Sequence, residues 1–159
     1  MTIKDSGSRT EFSTGAVRDI QEGKGRCDLM PLDVVADVLN DVILDCLARF
    51  QGEPHETYLM MALNLFAARA YKGEVEMFLD VAIHFEEGAK KYGELNWQKG
   101  IPVKRYLDSA VRHYLKWLHY EEDERHDRAF VWNLMCCIWT IRRKDDLFSE
   151  GGDAPEDKE

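Results

Sequence analysis

At 159 residues, with 32% charged and 45% hydrophobic residues, the chain has the composition of one folded domain with its own apolar core. Its net charge of −9 argues against a DNA or RNA polymer as partner, because such partners need a basic footprint. The longest apolar run, 129–141, is too short to cross a bilayer, so no membrane is expected. Cys27, Cys46, Cys136 and Cys137 show no C-x-x-C spacing, which excludes a zinc knuckle and a disulfide framework. With no apolar leader after Met1, the expected setting is a reducing cytoplasm.

Residues 1–25 are polar, rich in Gly, Ser and Thr, and read as a flexible N-terminal arm. Pro31 then opens a first helix with Val35, Val38, Leu39, Val42, Cys46 and Phe50 on its apolar side. Asp33, Asp37, Asp41 and Asp45 recur every four residues on the other side and read as a solvated face. Gly52 ends this helix. Pro54 begins a second, running to about Tyr71, in which Met60 and Met61 read as core filler. A third helix spans about Val75–Tyr92, a loop follows to Gly100, and a fourth helix runs from Pro102 to about Tyr120. The acidic elbow at residues 121–124 leads into a fifth helix from about Arg125 to Arg143, and residues 146–159 read as an acidic disordered tail. No stretch alternates with period two. The expected fold is all-α, a bundle of four to five helices, with a single helical domain over 26–145.

Several polar residues break the apolar stripes. On a 100° wheel, Val75, Leu79, Ala82 and Ile83 define the apolar face of the third helix, with Glu86 near its centre, Glu87 at its margin and Lys90 one turn on. Glu86 and Lys90 then form either a helical ion pair or a cation ligand (or general base) with a phosphate contact beside it. In the fourth helix Asp108 and Arg112 read as a salt bridge, or, beside Glu86, as a second carboxylate with an arginine for phosphate oxygens. His113 is either a satisfied core histidine or part of the same site. In the fifth helix His126 and Asn133 share a face, and a buried asparagine needs partners. Asp123 and Glu124 either serve the helix dipole or supply oxygen ligands for Mg²⁺ or Mn²⁺. Carboxylates converging in a bundle near Lys and Arg suit metal-assisted phosphoanhydride hydrolysis. There is no Walker loop, H-E-x-x-H or nucleophile elbow.

Beyond this residue-level reading, three blocks of sequence carry a resemblance: Gly15-Ala16-Val17-Arg18 with Gly23 to Pro31; Gly88-Ala89-Lys90-Lys91-Tyr92-Gly93 with Asn96-Trp97-Gln98-Lys99-Gly100; and Tyr106 to His113 with Asp123 to His126 and Trp132-Asn133. Together they cover about half the chain. They resemble the dATP/dGTP diphosphohydrolase N-terminal-domain family, a phage and prophage family related to the MazG-like all-α nucleotide pyrophosphohydrolases. The resemblance implies hydrolysis of a purine deoxynucleoside triphosphate to monophosphate and pyrophosphate with Mg²⁺ or Mn²⁺, by a homo-oligomer in the cytoplasm of a bacterium or phage-infected cell. It implies Glu86, Glu87, Asp123 and His126 as catalytic residues, and Glu86, Glu87, Asp108, Asp123 and Glu124 as metal ligands. Lys90, Lys91, Arg112 and His113 would then meet phosphates. Arg26, Asp28, Tyr92, Asn96, Trp97 and Asn133 would complete the substrate pocket. Against the family pattern, the helix at about 52–73 is an insertion, and Met60, Met61 and Phe66 are candidates for a subunit interface. The alternative is a non-catalytic helical module that senses a nucleotide or binds a protein.

Overall fold

The computed structural model describes residues 3–148 and the backbone of 157 and 158; the acidic tail expected from 146 onward otherwise lies outside the described residues. The fold is all-α with one small sheet. Strands β1 (Arg9–Phe12) and β2 (Val17–Asp19) form an antiparallel hairpin, Arg9 opposite Asp19, and β3 (Asp157–Lys158) pairs with the other edge of β1. The helices are α1 (Leu32–Leu39), α2 (Val42–Gly52), α3 (Glu56–Ala70), α4 (Glu74–Tyr92), α5 (Val103–Leu118), α6 (His126–Ile141) and the short α7 (Lys144–Leu147).

α5 and α6 form the central pair. α3 and α4 lie against α6, and α2 packs between α1 and α3. The core gathers around Phe66, whose ring meets Tyr71, Tyr114, Trp117 and Phe130 edge-on at centroid separations of 4.8–6.2 Å. Phe66 is fully buried, so it cannot supply the subunit interface expected of it, whereas Met60 and Met61 are exposed.

Three expectations need correction. The first predicted helix is two helices. Asn40 takes a left-handed conformation (φ 49°) that closes α1, and Asp41 caps α2 by accepting from the Leu44 N–H at 2.9 Å. Asp41 also accepts from Tyr114 Oη at 2.7 Å and Arg69 at 2.9 Å, so it belongs to a buried network and not to a solvated stripe.

The second correction concerns α4, which carries two apolar stripes. Packing buries Met77, Val81 and His84, leaving Val75, Phe78, Leu79 and Ile83 exposed. A helical wheel alone cannot choose between two such stripes.

The third is the arm through residue 25, which is largely folded. Phe12 and Ala16 are fully buried, and Gly15, at φ 86°, supplies the positive φ that the turn between them requires. Asn96 fastens the hairpin by accepting from the Val17 N–H at 2.9 Å and donating to the Val17 carbonyl at 2.8 Å.

Candidate functional site

The hairpin lies over a cavity of about 710 Å³ whose other walls are α4, α5, α6 and the residues that lead into α6. That volume suits a nucleotide-sized ligand. Lys91 of α4, Arg105, Arg112 and Lys116 of α5, and Arg18 and Lys24 from the hairpin side line it, opposed by Asp5, Asp19, Asp108 and Glu124.

Arg18 is the cation of most consequence, and residue patterning did not single it out. Its guanidinium donates to Asn133 Oδ1 at 3.1 Å and to the Arg105 carbonyl at 3.4 Å, and lies over the rings of Tyr106 and Trp132. Burial lowers its pKa, but a guanidinium stays charged. Among the described residues no carboxylate forms an ion pair with it within 4 Å, so its charge faces the cavity compensated by neutral groups alone. Sequence offered one cue, a Thr-Gly turn between short β-prone segments.

The wall opposite is a cluster of imidazoles and carboxylates. His113 Nδ1 and His126 Nδ1 are 2.9 Å apart, and Glu124 Oε1 is 3.5 Å from His113 Nδ1. One ligand atom from each of the three lies within 4.8 Å of the others. His126 Nε2 sits 2.7 Å from Asp123 Oδ1, and Asp123 is also paired with Lys4 at 2.7 Å. The Lys4 ammonium and then His126 hold the Asp123 carboxyl well below its usual range. Burial pushes Glu124 up. Burial, together with His126 and Arg112, pushes His113 well down, leaving its imidazole neutral.

The remaining candidates are placed variously. Glu86 and Lys90 are exposed and pair with each other at 3.8 Å, on the stripe of α4 that packing leaves outside. Glu87 is half-buried on the same helix and does not line the cavity. Lys91 donates to the Lys4 carbonyl, and both it and Tyr92 line the cavity.

Asp108 accepts from Gln21 Nε2 and the Cys27 N–H, each at 2.7 Å, and from Arg112. Burial would raise this carboxyl, but the bonds from Gln21 and Arg112 outweigh it and keep the group ionised. Arg112 in turn donates to the Gly25 carbonyl at 2.7 Å, so the pair anchors residues 21–27. Arg26 forks onto Asp28 at 2.7 and 2.8 Å. Trp97 meets Phe85 and Trp139 edge-on beside the cavity, leaving no face turned into it. Asn133 completes its bonding through Nδ2 to the Ala129 carbonyl at 2.8 Å.

The carboxylates expected to cradle Mg²⁺ therefore do not converge. Glu86 is spent on Lys90 and Asp108 on its three donors, while the groups that do meet are two imidazoles and one carboxylate. Mg²⁺ demands oxygen ligands, and this donor set does not fit it.

The chain belongs to the dATP/dGTP diphosphohydrolase N-terminal family, whose model matches residues 59–149, more than half of its length. The match begins inside α3, so most of the helix read as an insertion lies within the matched segment, and the hairpin lies before it. No curated protein and no solved structure matches the chain. No helix among the described residues is long and apolar enough to cross a membrane.

Proposed function

We propose that this chain hydrolyses a purine deoxynucleoside triphosphate, dATP or dGTP, to the monophosphate and pyrophosphate. The observation that carries the reading is Arg18, a half-buried cation facing a nucleotide-sized cavity in a chain of this family. A triphosphate would bring the negative charge that Arg18 lacks, and Lys91 and Lys116 line the same space. Water attacks the α-phosphorus, the bond to the bridging oxygen breaks, and pyrophosphate leaves with that electron pair. Glu124, on the cavity wall beside His113, receives the proton of the attacking water. His113 and His126 orient Glu124 and the water.

Metal dependence belongs to this reading: Mg²⁺ or Mn²⁺ carried in on the triphosphate oxygens, not held by the imidazole cluster, would neutralise phosphate charge. So does self-association, for which the exposed Val75, Phe78, Leu79 and Ile83 offer an apolar surface to a second copy. The phage origin, the kinship to MazG-like enzymes and a cytoplasmic setting accompany the resemblance.

The test is incubation with dATP, dGTP and a panel of other nucleotides, with products resolved by chromatography. Monophosphate plus pyrophosphate is expected. Diphosphate plus phosphate would mean different hydrolysis chemistry, and nucleotide binding without turnover would favour a sensing module.

A further inference from the structure

We propose that His113 Nδ1, Glu124 Oε1 and His126 Nδ1 form a site for a first-row transition dication (Co²⁺ or Zn²⁺, with Mn²⁺ weaker) and not for Mg²⁺. The proposal deepens the reading above only in its location, since it needs no nucleotide. The geometry comes first. Ligand atoms about 2.1 Å from one ion lie about 3.0–3.4 Å apart between right-angle and tetrahedral arrangements. The two separations recorded here, 2.9 Å between the imidazole nitrogens and 3.5 Å from His113 to Glu124, fall close to that span.

The second argument is the surroundings. Asp123 accepts from His126 Nε2 at 2.7 Å, which places the proton on Nε2 and leaves the Nδ1 lone pair turned toward His113. A carboxylate behind a ligating imidazole in this way fixes its tautomer and raises its basicity. Lys4 holds Asp123 from the far side at 2.7 Å. His126 is buried at 2% exposure, so the orientation is set by packing as well as by hydrogen bonding.

The donor types then select the ion. Imidazole nitrogen suits Zn²⁺ and the neighbouring Co²⁺, and Mn²⁺ accepts it beside a carboxylate, whereas Mg²⁺ keeps oxygen ligands and much of its water. Three protein donors leave coordination positions free, and His113 and Glu124 line the cavity, so those positions open toward it. Glu124 uses one carboxylate oxygen as ligand and keeps the other for a proton.

The experiment titrates Co²⁺ into the metal-free full-length chain without nucleotide, following visible absorption, with thermal shifts measured in Co²⁺, Zn²⁺, Mn²⁺ and Mg²⁺. Ligand-field bands saturating at one equivalent are expected, lost in both His113→Gln and His126→Gln while far-UV circular dichroism is unchanged. Asp123→Asn should weaken Co²⁺ by roughly 10–100-fold without abolishing it. Mg²⁺ should leave the midpoint where it was.

Absent bands, bands that survive both histidine changes, a thiolate charge-transfer band tracing the ion to a cysteine, or an equal stabilisation by Mg²⁺ would each overturn the site. Turnover is measured separately. Pyrophosphate release without Co²⁺ binding would sink this inference and leave the hydrolase standing, and Co²⁺ binding without turnover would do the reverse.

Discussion

Asn96 gives its amide oxygen and its amide nitrogen to the backbone of a single residue, Val17, at 2.9 and 2.8 Å. The loop after α4 thereby completes the ladder of a strand nearly eighty residues earlier. What looks like a nucleoside-binding asparagine is the clamp that holds the hairpin over the cavity. Asn96→Ala should cost about 1–3 kcal/mol, because two part-buried backbone groups lose their partners. Urea unfolding would measure the loss, and limited proteolysis should cut first within residues 9–19.

Arg18 gives the sharpest functional prediction. Arg18→Gln keeps hydrogen bonding to Asn133 within reach but removes the charge. Losing one charge-assisted contact of about 1.5–3 kcal/mol should raise KM for the triphosphate by roughly 10–100-fold. An unchanged KM with an altered thermal midpoint would make Arg18 purely structural.

Glu86 and Glu124 separate two assignments of the chemistry. Glu124→Gln should abolish turnover while nucleotide still binds. Glu86→Gln removes only an exposed pairing with Lys90 and should leave both turnover and thermal midpoint as they were. If Glu86→Gln is inactive, the chemistry runs through the outer stripe of α4.

Helices α3 to α6 were legible because Pro54, Gly73, Gly93 and Pro102 punctuate them, and because tertiary packing and local propensity agree there. The break between α1 and α2 was signalled only by Asn40-Asp41, a left-handed residue followed by a cap, which a continuous apolar pattern overrides. The site was legible in part. The structure brings His113, Asp123, Glu124 and His126 together, and Asn133 lines the same cavity. Glu86 was assigned to the core because the more apolar stripe of α4 is the one packing leaves outside. Arg18 was missed because three- and four-residue strands carry too little periodicity to reveal what their side chains face.

His84 sets an acid limit on the fold. Burial, then Arg128, Arg18 and Lys91, bring its pKa down to about 4, with Asp127 pulling weakly the other way. The unfolded chain takes up this proton near the ordinary value of 6.5 and the folded chain only near 4. The contribution to stability is therefore complete above pH 6.5 and is lost progressively as the pH falls to 4, about 3 kcal/mol in all. His84→Gln should flatten the fall in thermal midpoint between pH 6.5 and 4.5, read by circular dichroism.

The exposed stripe of α4 predicts self-association. Leu79→Glu combined with Ile83→Glu places charge on an unpacked face, so the monomer should fold while sedimentation shifts to lower mass. An unchanged sedimentation coefficient would move any subunit contact elsewhere.

The hairpin that roofs the cavity stands before the family-matched segment, and the imidazole–carboxylate wall lies within it. On the proposed function, the grip of Arg18 and the groups handling the water would thus lie on different stretches of one polypeptide, with Lys91 and Lys116 gripping from the matched stretch. A chain could exchange its roof, and with it the shape offered to base and sugar, without disturbing the groups that would handle the water. Altered substrate choice in this scaffold is then best sought by transplanting residues 9–25 as a block, before any residue of α5 or α6 is touched.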